Sequence, residues 1–322
     1  MAAVSRSERS SAPSGSATPP AFPPQLRVFV RDWLSSNNIL LKSAAGHTLI
    51  DTGYGRHAPL MLALLASRQG LDGEPLARIV NTHCHSDHMG GNAAVARAYG
   101  CTIAVPEGEA PLIERWDTRA LWIDYAGQTA ERFAVDDAIV AGTTYAWGDL
   151  EWRALAAPGH DMAALVFYNA EHRILISGDA LWENGYGLIM PPQVDPAALP
   201  ATRATLDMLA ALDVAVVIPG HGEPFTGVAT ALERAYGRTA AFEADEMRMV
   251  RHALKVLLTF TLLDRQRMPL AELPAFVERV PIFRDFNARY LRLEPAALAE
   301  RLVAELERAG AARREGGALV PA

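Results

Sequence analysis

The chain has 322 residues, of which 50% are hydrophobic and 21% charged, and this balance is typical of a globular protein with a buried core. The formal net charge of −7 argues against a general nucleic-acid-binding protein, because phosphate backbones are held mainly by surplus Lys and Arg. Two cysteines exclude a disulfide framework, and no apolar run is long enough to span a membrane, so we expect a soluble, cytoplasmic protein.

The first residues, 1–24, are rich in Ser and Pro and contain little apolar surface to offset the entropy of ordering, so we expect a disordered tail. Order begins with the alternating run 26–30, which predicts a strand. Short strands are also predicted at 38–41, 48–51 and 76–81, and the last of these leads into a histidine-rich run.

The middle of the chain alternates helical and strand patterns. Helices are predicted at 59–69, 93–99 and 202–212, and strands at 103–106, 150–156, 164–168, 173–177 and 214–218. The texture changes after about residue 240, where the predicted elements are helices at 239–263, 270–278 and 295–309 and a hairpin at 311–320 with a Gly-Gly turn. We therefore expect a main domain at 25–238 and a winged-helix-like C-terminal domain at 239–322.

The histidine-rich run HCHSDH begins at His83. His83 and His85 are two residues apart, so in extended backbone their side chains leave the same face and can bind one ion. Asp87 and His88 follow after the chain turns and so point at a second position. Imidazole and carboxylate are the ligands that zinc accepts in catalytic sites. Cys84 points to the opposite face, and we expect it to be a buried neighbour and not a ligand.

Three further candidate ligands stand at predicted strand ends. They are His160 in Ala-Pro-Gly-His, Asp179 in Ser-Gly-Asp-Ala and His221 in Pro-Gly-His-Gly. A preceding glycine lets the backbone turn sharply and bring a ligand close to a metal. A single His-x-His pair would be weak evidence, but the run together with these three residues predicts a metal centre.

These motifs, with Asp51, resemble the metallo-β-lactamase fold superfamily over roughly residues 25–235. The resemblance implies an α/β fold, a four-layer αββα sandwich with the metal site at one edge. It implies two zinc ions, with iron or manganese as alternatives. One metal would be bound by His83, His85 and His160, and the other by Asp87, His88 and His221. Asp179 would bridge the two metals, and Asp51 would orient ligands through hydrogen bonds.

Three features of the sequence differ from particular branches of the superfamily and make those branches less suitable as relatives. His85 stands where the di-iron electron-transfer branch has a glutamate. Asp179 stands where lactamases with a mixed-ligand site have a cysteine, which favours the hydrolase branches. Only 41 residues separate Asp179 from His221, which leaves no room for the inserted domain of the nucleic-acid-cleaving branch.

A metal pair implies a mechanism. Two cations lower the pKa of a shared water, and the resulting bridging hydroxide attacks the substrate while the metals polarise its carbonyl or phosphoryl oxygen. Asp87 is the candidate catalytic residue, since its carboxylate can orient the hydroxide or carry a proton to the leaving group.

Four aromatic residues are candidates for substrate contact. Trp182 and Tyr186 follow Asp179, and Trp122 and Tyr125 lie in a long segment that could cover the site. Such a lining suits an acyl chain, thioester or ester; the alternative is that these rings only pack the loops. Basic residues on the first C-terminal helix, at 248, 251 and 255, favour a solvated face over a phosphate or coenzyme A contact.

A core followed by a helical cap resembles the beta-lactamase-like protein 2 group and glyoxalase II, but the C-terminal basic signature with which glyoxalase II holds glutathione is absent. A zinc hydrolase of small esters, thioesters or lactones, with a small acyl substrate and no membrane partner, is therefore preferred. A single-strand RNA endonuclease is the enzyme alternative and requires a basic path to the metals. A non-catalytic DNA-binding regulator is the third, although the second cap helix offers only Arg279 against Glu272 and Glu278.

Overall fold

The computed structural model describes residues 22–322, so nearly all of the predicted tail at 1–24 lies outside the described residues. Two mixed β-sheets form the centre of the fold. The first has the strand order β1-β2-β3-β4-β5-β6, antiparallel from β1 to β3 and parallel from β3 to β6. Its strands are β1 (Leu26–Phe29), β2 (Asn38–Leu41), β3 (His47–Ile50), β4 (Leu76–Val80), β5 (Thr102–Pro106) and β6 (Asp137–Ile139).

The second sheet has the order β11-β10-β9-β8-β7, in which β10 and β11 are parallel and the other pairs antiparallel. Its strands are β7 (Thr144–Trp147), β8 (Leu150–Ala156), β9 (Leu165–Asn169), β10 (Ile174–Gly178) and β11 (Val216–Pro219). Strands β6 and β7 were not predicted from the sequence, because both are short and largely exposed.

Eleven α-helices lie within residues 22–322. They are α1 (Ala58–Ala66), α2 (Ser86–Met89), α3 (Asn92–Tyr99), α4 (Ala110–Arg115), α5 (Ile123–Ala126), α6 (Ala198–Ala210), α7 (Val228–Ala244), α8 (Glu246–Arg265), α9 (Leu273–Arg279), α10 (Pro281–Phe286) and α11 (Pro295–Arg308). Short 3₁₀ turns at Gly55–His57 and Leu270–Glu272 and a π-helical turn at Asn287–Leu291 accompany them. None of the described helices is long and apolar enough to cross a membrane.

The two sheets pack face to face, because apolar side chains from both fill one core. Ile50 and Val80 of the first sheet and Trp152 and Phe167 of the second are buried in it. Helices α1, α3 and α4 cover the outer face of the first sheet, and α6 and α7 cover that of the second. Each large apolar side chain buried in this way contributes about 1.5–3 kcal/mol. The predicted α/β architecture of mixed sheets with helices outside is confirmed.

The C-terminal helices α8 to α11 enclose a core of their own and pack on α5. A three-stranded sheet accompanies them, in the order β12-β14-β13, with strands β12 (Met268–Pro269), β13 (Ala312–Glu315) and β14 (Ala318–Pro321). The predicted terminal hairpin is present, and Gly316 and Gly317 at its turn both have positive φ. The winged-helix-like character of this segment stays a prediction.

The single helix predicted at 239–263 is two helices that meet at Asp245. Asp245 has an extended backbone, with φ −144° and ψ 92°, and its side chain accepts a hydrogen bond from the backbone N–H of Arg248. The preceding α7 runs through residue 238, the predicted domain boundary, and packs on the second sheet through Ala235 and Phe242. Apolar periodicity continues across the junction, which is why the break was not visible in the sequence.

Candidate metal centre

The candidate ligands lie at one edge of the sandwich, where several strands end. His83 follows β4, His160 follows β8, Asp179 follows β10 and His221 follows β11. Strands β8, β10 and β11 run in the same direction, so their carboxyl ends meet at the same edge of the second sheet. His85 precedes the short helix α2, which carries Asp87 and His88. Residues far apart in sequence are thereby brought together.

The seven candidate ligands fall into two groups. Within each group the candidate ligand atoms lie within 4.8 Å of one another. The first group is His83, His85 and His160, and the second is Asp87, His88, Asp179 and His221. The grouping is the one expected from the resemblance, with Asp179 in the second set.

Asp179 faces both groups. Its Oδ1 lies 3.3 Å from Nε2 of His88, and its Oδ2 lies 3.5 Å from Nε2 of His160. This close approach requires a glycine at position 220, because a Cβ added to Gly220 would clash with Oδ1 of Asp179. One carboxylate oxygen is thus directed toward each cluster of imidazoles.

Asp51 lies behind the ligands, at the end of β3, in a left-handed backbone conformation with φ 57° that Asp tolerates better than most residues. Its Oδ1 accepts hydrogen bonds from the backbone N–H of Thr82 at 2.9 Å and from the side chain of Asn81 at 3.2 Å. Its Oδ2 accepts from the Thr82 hydroxyl at 2.8 Å and lies 2.8 Å from Nδ1 of His88. The carboxylate therefore fixes the orientation of the His88 ring.

The donor set fits divalent metal ions. Within the part of the chain that the structure describes, four buried imidazole nitrogens of these ligands have no hydrogen-bond partner: Nε2 of His83, His85 and His88 and Nδ1 of His221. A buried polar atom without a partner costs about 1–3 kcal/mol, so several in one place indicate a missing partner. Imidazole and carboxylate together are the donors that zinc prefers.

The protonation states of three of the ligands, His83, His85 and Asp179, also favour metal binding. Burial lowers the pKa of His83 and of His85 well below the ordinary value, and neighbouring imidazoles lower both further. Burial opposes the charge on Asp179, but the nearby imidazoles of His88 and His221 outweigh it and hold its pKa well below the ordinary value. His83, His85 and Asp179 are thus in the protonation states that metal binding requires. At His88 the carboxylates of Asp51, Asp179 and Asp87 outweigh burial and raise the pKa well above its ordinary value, so a metal ion would displace a proton from that ring.

A mostly apolar cavity of about 320 Å³ lies over the two groups; we call it the metal-facing cavity. Its lining combines five of the candidate ligands with three tryptophans and a wall from the C-terminal helices. The ligands are His85, Asp87, His160, Asp179 and His221; the other lining residues are Trp33, Trp122, Gln128, Trp182, Leu188, Lys255, Val256, Leu257, Thr259, Phe260, Leu263, Leu306, Ala309 and Ala311.

Two of the four predicted aromatic contacts line this cavity. Trp122 stacks on His85 with ring centroids 4.4 Å apart, and Trp182 donates from Nε1 to Oδ1 of Asp179 at 3.2 Å. Tyr125 and Tyr186 are not among the lining residues: Tyr125 packs into the C-terminal core, and the hydroxyl of Tyr186 lies 3.0 Å from that of Thr239. Tyr186 is a buried packing residue, whereas Tyr125 also lines a separate cavity beside Trp122 and His160.

Trp33 was not predicted from the sequence to lie at the site. Its ring stacks on His221, with centroids 5.5 Å apart and an interplanar angle of 6°, and meets Trp182 edge-on. The side chain is 58% exposed, which is unusual for a residue of this size. The sequence feature that could have indicated this role is a tryptophan in the polar run Arg31-Asp32-Trp33. The contribution of α8 and α11 to the cavity wall was also not predicted, because it depends on how these helices pack against the sandwich.

Cys84 is fully buried among apolar side chains on the outer face of the first sheet, as predicted. Its backbone N–H donates to Oε1 of Glu109 at 2.9 Å. Burial raises the pKa of the thiol well above its ordinary value, with Glu109 adding to the effect. The residue therefore stays a neutral thiol that supports the ligand run from behind.

A family model described as the metallo-beta-lactamase superfamily matches residues 31–221, the segment that contains every candidate ligand. The chain belongs to this superfamily. The resemblance inferred from the sequence is confirmed, and the superfamily accounts for both the sandwich and the paired ligand groups.

Curated relatives of the chain are hydrolases by name. A hydroxyacylglutathione hydrolase of Rhodospirillum rubrum is 32% identical over 124 residues, which cover 38% of this chain and 41% of that protein. An acyl-coenzyme A thioesterase of Gallus gallus is 25% identical over 209 residues, covering 59% of this chain and 73% of that protein. The chain thus spans less than half the length of the first of these relatives.

Solved structures show the same fold. A metallo-beta-lactamase of Cronobacter sakazakii superposes with a TM-score of 0.56 at 19% identity, covering 72% of this chain and 99% of the other. A metallo-beta-lactamase family protein from Thermus thermophilus has a TM-score of 0.53 at 22% identity, covering 94% of this chain and 100% of the other. The second likeness therefore extends over the C-terminal helices.

Proposed function

We propose that the chain is a dinuclear zinc hydrolase of small esters, thioesters or lactones. The observation that carries the proposal is the position of Asp179, whose two oxygens face separate groups of buried ligands beneath an apolar cavity. A single metal site would not require a second complete set of donors at the same edge of the sandwich.

The residues that would hold the metals are those of the two groups. His83, His85 and His160 would hold the first, Asp87, His88 and His221 the second, and Asp179 would be shared. When bound, the two cations polarise the substrate carbonyl and activate a water molecule as the nucleophile. Iron and manganese accept the same nitrogen and oxygen donors, so zinc is proposed from the balance of imidazole over carboxylate.

The chain's own side chains would orient the reactants. Asp87 lines the cavity, and its Oδ2 lies 3.1 Å from Nε2 of His221, so its carboxylate is available to orient water or to receive a proton on the way to the leaving group. Trp33, Trp122 and Trp182 surround the ligands and would exclude bulk water. The apolar residues of α8 and α11 would receive the acyl part of the substrate.

Thioesters are the first choice among the three substrate classes. The names of both curated relatives describe proteins that act on thioesters, and the apolar wall suits an acyl chain. RNA cleavage ranks lower because Lys255 is the sole Lys or Arg among the residues lining the metal-facing cavity in the described part of the chain. A DNA-binding regulator would have no use for two buried sets of ligands. The predicted cytoplasmic setting stays a prediction.

The test is hydrolysis by metal-loaded protein of a panel containing acyl-coenzyme A, acyl-glutathione, a lactone, a phosphodiester and single-stranded RNA. The Asp179→Ala variant should lose at least about 1,000-fold in kcat/KM and bind less than two metal ions per chain, as counted by elemental analysis. Asp149→Ala, at an exposed aspartate that is not among the candidate ligands, is the control. Full activity of Asp179→Ala, or under one metal ion per chain in the unaltered protein, would refute the proposal.

A further inference from the structure

A second concave surface lies between α7, α8 and α11, with a volume of about 780 Å³. Six cationic side chains line it, and Glu305 is the one carboxylate among its lining residues in the described chain. We call it the basic groove; its cations are Arg234, Arg238, Arg248, Arg251, Lys255 and Arg308. Such a concentration of positive charge is unexpected in a chain whose formal net charge is −7.

Most of these cations are not neutralised by the protein. Arg251 lies 3.5 Å from Asp245, but within residues 22–322 no carboxylate oxygen comes within 4.0 Å of the charged nitrogens of the other five. Glu305 itself is paired with Arg301 at 3.2 Å, outside the groove lining. The groove therefore keeps its positive potential for a ligand.

One of the cations is fixed in position. Arg238 donates from Nη1 to the backbone oxygen of Tyr186 at 3.0 Å and from Nη2 to that of Asn184 at 2.6 Å, and its guanidinium lies over the Tyr186 ring. A guanidinium that is already oriented loses less entropy when it binds a phosphate.

The pKa of His252, which lines the groove, reflects the positive charge around it. His252 is packed against Phe242, and burial together with the positive charges of Arg238, Lys255 and Arg248 lowers its pKa to about 4. The ring is neutral at physiological pH and adds a hydrogen-bonding nitrogen among the cations.

The basic groove adjoins the metal-facing cavity. Lys255 and Ala309 line both surfaces, so α8 and α11 present charged residues on one side and apolar residues such as Phe260 and Leu263 on the other. A molecule with a polyanionic part and an apolar part could occupy both surfaces at once.

We propose that the basic groove binds the phosphates of a nucleotide-type thiol carrier of the coenzyme A kind, while the attached acyl group enters the metal-facing cavity. The inference rests on the proposed function and names the carrier half of its thioester substrate. Hydrolysis joins the oxygen of water to the acyl carbon and breaks the carbon–sulfur bond. The products are a carboxylate, the free thiol of the carrier and one proton released to solvent.

The shape of the charged surface favours this carrier over RNA. An RNA chain carries a phosphate on every nucleotide, so cleavage at the metals would need cations on both sides of the ligands. The surface between the basic groove and the ligands is apolar except for Lys255. A third cavity, beside Trp122 and His160, holds Arg119 and Arg289, but five acidic residues line it as well: Glu109, Asp117, Asp161, Asp195 and Asp285. Phosphates at one end and an apolar group at the other match an acylated nucleotide carrier.

The first experiment compares two thioesters with the same acyl group, one on coenzyme A and one on pantetheine, which lacks the nucleotide. We expect kcat/KM to be at least about tenfold higher for the coenzyme A thioester and the difference to shrink in high salt. Equal kcat/KM values would overturn the inference and leave the proposed thioesterase intact. If the protein hydrolyses neither thioester, the result counts against the proposed function. The role of the groove is then tested by the binding experiment below.

Binding is measured by calorimetry with free coenzyme A, inorganic phosphate and a short single-stranded RNA as probes. The double variant Arg248→Gln/Arg308→Gln should weaken coenzyme A binding by at least about tenfold and leave hydrolysis of acyl-pantetheine, if any, unchanged. Arg279→Gln, on α9 outside the groove, is the control. Unchanged coenzyme A affinity in the double variant, phosphate binding as tight as coenzyme A binding, or RNA binding that alone depends on the two arginines would each overturn the inference.

Discussion

Nδ1 of His88 lies 2.8 Å from Oδ2 of Asp51, and Nε2 of the same ring lies 3.3 Å from Oδ1 of Asp179. The ring is thus held between a carboxylate that also accepts three hydrogen bonds from Asn81 and Thr82 and a carboxylate in the ligand group. The hydrogen bond to Asp51 favours a proton on Nδ1, so Nε2 is the ring nitrogen that would bind a metal ion.

The Asp51→Asn variant should therefore lose metal affinity although residue 51 does not contact a metal. The amide cannot accept the hydrogen bonds of Asn81, Thr82 and His88 together, so the His88 ring loses its fixed orientation. We expect about 10- to 100-fold weaker binding of the second metal ion, measured by competition with a chelator. Asp149→Asn, at an exposed turn with the same φ, should bind metal normally. Unchanged affinity in Asp51→Asn would contradict the orienting role.

The Trp33→Ala variant should weaken substrate binding and leave folding unaffected. The ring stacks on His221 but is 58% exposed, so it contributes little to the core and much to the rim of the cavity. We expect KM for a thioester to rise by up to about tenfold, since an aromatic contact is worth about 0.5–1.5 kcal/mol. Leu60→Ala, half-exposed on α1, is the control for loss of surface apolar area. A lower melting temperature with unchanged KM would assign Trp33 a structural role instead.

His252 should make the protein less stable in mild acid. Its pKa is about 4 in the folded chain and about 6.5 when unfolded, so between these values the unfolded chain binds the proton more readily. The stability that this group preserves is complete above pH 6.5 and declines as the pH falls toward 4. The neighbouring charges are Arg238 on α7 and Arg248 and Lys255 on α8.

His252→Gln should remove this decline, on the order of 2 kcal/mol of the free energy of unfolding between pH 7 and pH 4, measured by urea denaturation. His172→Gln, in an exposed turn, is the control and should retain the full pH dependence. An identical slope in His252→Gln and the unaltered protein would show that the ring does not titrate as described.

Asp245 should stabilise the start of α8. Its side chain accepts the backbone N–H of Arg248 at 3.1 Å, so Asp245→Ala should lower the free energy of unfolding by about 1 kcal/mol. Asp245→Asn keeps the cap acceptor and removes the charge near Arg251, and should cost a few tenths of a kcal/mol at most, since exposed ion pairs contribute little. Equal losses in both variants, by thermal or urea denaturation, would mean that the charge and not the cap matters.

The ligand groups could be predicted because their signals are local. His160, Asp179 and His221 each follow a glycine near a strand end, and the other four candidate ligands stand together in the run from His83 to His88. The alternation of the strands is readable from apolar spacing. Folding then brings His83, His160 and His221 to the same edge of the sandwich. The sequence predicts this proximity only because the order of the motifs resembles that of the superfamily. The double role of Asp179 depends on a close backbone approach at Gly220, and no spacing in the sequence measures that distance.

Features that depend on tertiary contacts could not be predicted. Tyr186 and Trp182 are four residues apart, yet Tyr186 is buried against α7 and Trp182 lines the cavity. The chain turns between them at Gly185, which has a φ of 124°. The basic groove joins residues from α7, α8 and α11, so the cationic face of α8 read alone looked like a solvated surface. Its meaning depends on the arginines that two other helices bring beside it.

The wall that α8 and α11 contribute to the metal-facing cavity lies on different elements from the candidate ligands. The strand ends of the sandwich and the short helix α2 carry all of the candidate ligands, whereas the far side of the cavity belongs to α8 and α11, which carry none. Under the proposed function, we expect substitutions on one face of α8 to change the preferred acyl chain to a longer, shorter or branched one without changing the candidate ligands. Directed evolution of new acyl selectivity should begin at Val256, Phe260 and Leu263.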